Sequence, residues 1–259
     1  MSSRSVGKLL RSLRARKGRA EHGLFLAEGP HLLRELLASG RPIVRVLYTR
    51  AVAVDPEAAG LLDRCVGAGV PCGEVSEAEL GDYADTITPQ GILAVAEIPR
   101  WCWAHVTTPR LLVLDAVQDP GNLGTLVRTA EGMGLGGVVV LPGTADPWSP
   151  KVARAAAGST LRIPILAGDW EEVAEELRAR EVVTWAAEAT GQPYRRGDAA
   201  PSRLALALGN EGAGISAAVL RDAARRVGVP LGGRLESLNV AAAGAILMDR
   251  IFGGEVAAD

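Results

Sequence analysis

The chain has 259 residues, 48% of them apolar and 22% charged, with a formal net charge of −2. That length and balance suit one large domain, or a small one plus a medium one, around a buried core, and they exclude bulk disorder. The longest apolar run, residues 240–248, is too short to cross a bilayer, and no basic-then-apolar leader opens the sequence, so a cytoplasmic protein with no membrane partner is expected.

The net charge hides an asymmetry. Residues 1–50 carry 11 Lys/Arg and 3 Asp/Glu, a net of +8, so the remainder carries −10. A basic end on an otherwise acidic chain attracts a polyanion, RNA being the obvious candidate; a solvated basic helix is the plainer alternative. The three cysteines, Cys65, Cys72 and Cys102, lack metal-type spacing. They read as free thiols, with neither a disulfide framework nor a metal site.

In chain order, residues 6–17 set Val6, Leu9, Leu10 and Leu13 on one stripe among basic residues, which predicts a helix. Gly29 and Pro30 start a second helix carrying Leu32, Leu33, Leu36 and Leu37. Residues 43–48 read as a strand, 56–66 and 76–83 as helices, and 91–96 as a strand. This first part, residues 1–98, is a small α/β domain. Residues 99–109 read as a linker, and its Trp101 and Trp103 are better suited to packing the two domains together than to base stacking.

Beyond it, strands and helices alternate. Strands are expected at 111–115, 138–141, 182–187, 204–208 and 227–229, and helices at 122–133, 149–157, 170–180, 216–224 and 238–251. That alternation predicts a parallel sheet covered on both faces, with ligands at the carboxyl ends of its strands. Three loops therefore stand out. After the first strand of this part, Pro120 and Gly121 read as a tight turn and Asn122 as a helix cap, which brings Asn122, Thr125 and Arg128 near one another. Taken alone, this loop reads slightly better as a capped helix with a solvated arginine. After the strand at 204–208 come Gly209, Asn210, Glu211, Gly212, Ala213 and Gly214, where glycines let backbone approach a ligand. Their spacing is neither a dinucleotide fingerprint nor a phosphate-binding P-loop. The third loop runs from Val229 through Leu231 to Ser237, Leu238 and Asn239, with Ser237 placed to cap the last helix. Together, three polar loops after three strands favour one shared site over three separate caps.

In this order the loops resemble the SpoU (TrmH-like) branch of the SPOUT methyltransferases. The matching strings are Asn122-x-Gly124-x-x-x-Arg128-x-Ala130, Gly209-x-Glu211-Gly212-x-Gly214, and Ser237-Leu238-Asn239-Val240. Residues 149–159 resemble the segment after the first motif, so the likeness spans about residues 110–252. Phe25 to Gly29, following a basic helix, resembles the substrate-binding domain of rRNA-modifying members. The resemblance implies a parallel α/β sheet with a deep C-terminal trefoil knot in residues 110–259, an L30e-like first domain that binds RNA substrate, and a homodimer. It also implies S-adenosyl-L-methionine as cofactor and methyl transfer to a ribose 2′-hydroxyl. The expected RNA is 23S rRNA, with tRNA or a catalytically silent RNA-binding scaffold as alternatives. Gly209, Asn210, Gly212, Val229, Leu231, Ser237 and Leu238 would bind the cofactor. Arg128, Asn122, Glu211, Ser237 and Asn239 would form the catalytic group, with Glu211 ordering Arg128 or its loop. Arg11, Arg14, Lys17 and Arg19, together with Arg128, would contact RNA. Val229 and Leu231 replace the family's common Ile and Met, which keeps an apolar wall, and Ala241 lacks the hydroxyl of a common Ser. A nucleotide-binding oxidoreductase is the rival from another class, and the missing fingerprint counts against it.

Overall fold

The computed structural model describes residues 3–253. Their contacts divide into two compact units. The first holds the chain through Arg100 together with Asp146–Arg162; the second holds Trp101–Ala145 and the chain from Ile163 onward.

The first unit comprises α1 (Ser3–Leu13), α2 (Arg16–His22), β1 (Leu24–Glu28), α3 (Pro30–Ser39), β2 (Ile43–Thr49), α4 (Arg50–Ala53), α5 (Pro56–Gly67), β3 (Cys72–Val75), α6 (Glu77–Tyr83) and β4 (Ile92–Glu97). Its sheet has the order β1-β4-β2-β3. The pairs β1–β4 and β4–β2 are antiparallel, and β2–β3 is parallel. Both faces are covered. Phe25, Ala27, Ile92, Ala94 and Ala96 pack with Leu32, Leu33 and Leu36 of α3 and Leu61 of α5. The alternate residues Leu26, Leu93 and Val95 pack with Leu10 and Leu13 of α1 and Leu80 of α6. A strand buried on both sides shows no polar alternation, which is why β1 gives no periodic signal in the sequence.

The helix expected over residues 6–17 is instead two helices. The chain folds back after Leu13, and a Cβ on Gly18 would sit 2.1 Å from the Ser12 carbonyl oxygen. Arg19 reaches into this corner. Its Nη1 donates to the carbonyls of Leu13 (2.7 Å) and Arg14 (2.9 Å), and its Nε donates to Asp146 at 2.7 Å. Arg19 is 4% exposed. Its expected role as an RNA contact is therefore corrected: the guanidinium satisfies the orphan carbonyls at the end of α1 and is closed to a phosphate.

The second unit continues with β5 (Arg110–Asp115), α7 (Pro120–Gly132) and β6 (Gly137–Val140). After α8 (Pro150–Ala155), which belongs to the first unit, come β7 (Ile165–Ala167), α9 (Trp170–Ala179), β8 (Val183–Pro193), β9 (Leu204–Gly209), α10 (Ala217–Asp222), β10 (Arg225–Gly228) and α11 (Val240–Phe252). Six parallel strands lie in the order β10-β8-β9-β5-β6-β7. Trp101 and Trp103 pack against the core of this unit beside α9. The three-residue strand β7 and the four-residue β3 are too short to register as sequence patterns.

The excursion Asp146–Arg162 docks onto the first unit through charge and rings. Arg154 donates to Glu28 at 3.2 Å and to Asp85 at 3.0 Å, Arg162 pairs with Glu35, and Trp148 lies 5.4 Å from the ring of Phe25. Cys65, Cys72 and Cys102 are free thiols. Among the described residues no helix is long and apolar enough to cross a membrane.

Candidate active site

Strand order reverses beside β5, since β6 and β7 extend to one side of it and β9 and β8 to the other. The loops after β5 and β9 lie side by side there, at the carboxyl end of the sheet. The first loop is fixed from below. The buried Asp115 accepts from the Ser216 N–H at 2.7 Å, Ala116 takes a left-handed φ of 58°, and Thr144 Oγ1 donates to the Leu114 carbonyl at 2.9 Å.

Helix α7 begins at Pro120, so Pro120 opens a helix instead of a tight turn. Its cap is Asp119, which accepts from the Asn122 N–H at 2.8 Å; the expectation that Asn122 caps the helix is corrected. With the cap filled by Asp119, the Asn122 amide is left to bond Glu211 and Asn239.

The loop after β9 is a closed turn. Asn210 and Gly214 exchange backbone hydrogen bonds, and a Cβ on Gly209 would lie 2.3 Å from the Gly214 carbonyl carbon, so only glycine fits. Asn210 accepts from Gly212 and Ala213 N–H groups and donates to the Ala116 carbonyl at 2.9 Å, stapling this loop to the first. Glu211 adds a second staple. It accepts from the N–H groups of Gln118 and Asp119, both at 3.2 Å, and from Asn122 Nδ2 at 3.0 Å. Burial alone would raise its carboxyl pKa. Bonds from Asn122 and from the backbone of Glu211, Gln118 and Asp119 outweigh burial and hold it below the usual carboxylate range. Glu211 thus orders the loop and Asn122, not Arg128.

The third loop ends at Asn239, which caps α11 by accepting from the Ala241 and Ala242 N–H groups at 3.0 and 3.2 Å. Capping by Ser237 is corrected accordingly. Because Asn239 Oδ1 faces these donors, its Nδ2 faces Asn122 Oδ1, at 3.0 Å. Asn122 Nδ2 in turn faces Glu211. The three side chains form one polarised chain, each member fixing the orientation of the next.

Beside this chain lies a cleft of about 560 Å³. All seven residues expected to touch a cofactor, Gly209, Asn210, Gly212, Val229, Leu231, Ser237 and Leu238, line it. Glu211 and Asn239 line it too. Arg128 does not; it is exposed on α7 with no hydrogen bond or ion pair found among the described residues. Arg11, Arg14 and Lys17 are exposed on the first unit, Arg11 over the Tyr83 ring. Sequence reasoning missed the wall at Ala187, Glu188, Ala189 and Thr190. The available signal was position: these residues lie at or just beyond the end of the strand expected over 182–187, where ligands gather. Among the described residues no group of His, Cys, Asp and Glu could hold a metal.

These features define an α/β protein with a six-stranded parallel sheet and a cleft walled by residues 187–190, the loop after β9 and the segment from β10 into α11. Residues 109–249 match the model of the SpoU rRNA methylase family, and residues 7–94 match the MRM3-like substrate-binding domain. The chain belongs to the SpoU rRNA methylase family. It is 38% identical over 244 residues to the 23S rRNA (guanosine(2553)-2′-O)-methyltransferase RlmP of Bacillus subtilis, covering 94% of each chain. Among solved structures it is similar to an AdoMet-bound rRNA methyltransferase from Sinorhizobium meliloti, with TM-score 0.85 and 30% identity over 97% of this chain and 95% of the other. It is also similar to a putative RNA methyltransferase of the TrmH family from Porphyromonas gingivalis, with TM-score 0.82 and 33% identity over 96% and 98% of the chains.

Proposed function

We propose that this protein is an S-adenosyl-L-methionine-dependent RNA methyltransferase that methylates a ribose 2′-hydroxyl of 23S rRNA in the cytoplasm. The observation that carries the reading is the Asn239–Asn122–Glu211 chain, standing at a cleft built for an adenosyl group. Likeness to the Bacillus relative, which is named for 2′-O-methylation of 23S rRNA, supports the reaction and the substrate.

The lining suits the cofactor. Leu208, Val229, Leu231, Leu238 and Leu247 offer an apolar wall, and backbone groups of the glycine loop offer hydrogen bonds. Among the described residues, the charged side chains lining the cleft are Glu188 and Glu211, with no lysine or arginine. The pyrophosphate of a dinucleotide would find no cation there. When bound, the cofactor supplies an electrophilic methyl group. Arg128 holds the phosphate beside the target ribose and stabilises the developing alkoxide. Asn122, Ser237 and Asn239 orient the ribose.

Three further parts belong to this reading. The first domain (residues 1–98) is an L30e-like RNA-binding module presenting Arg11, Arg14 and Lys17, joined by residues 99–109 to a catalytic domain at 110–259. A homodimer is the active form. The C-terminal segment is knotted, supported by the closure of residues 187–203 over α11: Arg250 donates to the Tyr194 carbonyl at 2.8 Å, and Arg196 pairs with Asp249 at 2.9 Å. The test is transfer of labelled methyl from S-adenosylmethionine to unmodified 23S rRNA and tRNA transcripts and to immature large subunits, followed by nucleoside analysis. A 2′-O-methyl nucleoside from 23S rRNA is expected; cofactor binding with no transfer to any substrate would overturn the reading.

A further inference from the structure

We infer that Glu188 recognises the vicinal diol of the cofactor's ribose, an inference that rests on the S-adenosylmethionine reading above. The residue sits in a bulge. Strands β8 and β10 pair with Arg226 opposite Ala186 and Val227 opposite Gln192, so residues 187–191 are extra on the β8 side. The bulge cannot relax toward its neighbour. A Cβ on Gly191 would lie 2.6 Å from the Val227 carbonyl carbon, and one on Gly228 would lie 2.7 Å from the Glu188 carbonyl oxygen. Two glycines thus let the backbones close, and the closed bulge presents residues 187–190 as one wall of the cleft.

Glu188 is the carboxylate of this cleft still able to accept. The other, Glu211, is engaged by Asn122 and two backbone N–H groups of the first loop. Glu188 has Oε2 3.4 Å from Arg226 Nη1, and its side chain is 23% exposed. Among the described residues no hydrogen bond to its other oxygen is found. An arginine at this distance offsets the negative charge without removing the oxygens' lone pairs. The arrangement suits a neutral pair of hydroxyls better than an ammonium group, which would want the charge uncompensated. Two carboxylate oxygens match two adjacent hydroxyl donors, and such bonds to a charged acceptor are the stronger kind. Held by the bulge, the carboxylate is ordered before the ligand arrives.

The test is calorimetric binding to the full-length protein, free of RNA. Its probes are S-adenosylhomocysteine, the 2′-deoxy and 3′-deoxy forms of it, and 5′-methylthioadenosine, which keeps the diol but lacks the amino acid. Wild-type protein is expected to bind the deoxy forms about tenfold to a hundredfold more weakly than S-adenosylhomocysteine. Glu188→Ala should bind all three alike and should lose affinity for 5′-methylthioadenosine as well. Glu188→Gln, which keeps the shape and one acceptor oxygen, should fall between. Variants that keep the full preference for the diol would overturn the inference. So would a loss confined to ligands carrying the amino acid, which would assign Glu188 to the ammonium group. Wild-type protein that binds none of the probes would overturn the cofactor reading and this inference together, whereas binding unchanged by either substitution would overturn this inference alone.

Discussion

Asn239 Nδ2 donates to Asn122 Oδ1 across 3.0 Å, linking the cap of α11 to the first turn of α7. The two residues are far apart in sequence, yet each needs the other to be oriented. Asn239 also accepts from two N–H groups of α11, so replacement removes two things at once. Asn239→Asp separates them. The carboxylate still caps the helix but places oxygen against the Asn122 oxygen. The melting temperature should match wild type while methyl transfer falls at least tenfold. Asn239→Ala should lose both, with a cap cost of about 1 kcal/mol in urea unfolding.

Glu211 should make stability depend on acid. Its folded carboxyl titrates below the usual range, so its contribution is present above the unfolded value and is lost as pH falls through the lower, folded one. Glu211→Gln should therefore melt below wild type at neutral pH, and the gap should close as pH drops beneath about 4. A gap that stays constant on acidification would mean that the charge is irrelevant.

Arg128 should matter to turnover and not to folding, because its exposed guanidinium has no partner found among the described residues. Arg128→Ala is expected to leave melting and S-adenosylhomocysteine binding unchanged while lowering the rate by about a hundredfold or more. Arg128→Lys should recover only part of the loss, since lysine restores charge without the fork. Near-wild-type turnover in Arg128→Ala would sink the assigned role.

The basic residues at the start of the chain should divide into two behaviours. Arg19→Ala removes the charge partner of Asp146 and the donor to two helix-end carbonyls, at a cost of about 3–5 kcal/mol in unfolding. The combined change of Arg11, Arg14 and Lys17 to alanine should leave stability nearly intact. It should weaken RNA binding and flatten the dependence of log affinity on log salt by about 0.7–0.9 for each phosphate no longer neutralised. Filter binding across a salt series distinguishes the two.

Gly244 should be irreplaceable at the crossing of α11 with α7. A Cβ there would lie 2.5 Å from Leu126 Cδ2 and 2.6 Å from Leu208 Cδ1. Gly244→Ala should cost about 1–3 kcal/mol by overpacking, read as a lower urea midpoint at unchanged slope.

Most of the helices and longer strands, the parallel character of the second sheet and the three polar loops were legible in the amino-acid string, whereas β1, β3 and β7 were not. Apolar runs, helical stripes and glycine positions are local properties, and Gly209 to Gly214, Asn122 and Asn239 announce themselves by spacing. Which side chain does what within those loops was not local. Asp119, not Asn122, caps α7, and Asn239, not Ser237, caps α11. Both outcomes follow from how the loops meet, because an amide points wherever its partners' donors and acceptors leave room. Arg19 looked like its basic neighbours until the chain folded back at Gly18 and enclosed it. Nothing in the sequence singled out Glu188; a mismatch in pairing with β10 sets it against the cleft. Sequence periodicity records which face of an element is buried. Only the tertiary structure decides which distant polar groups that burial brings within 3 Å of one another.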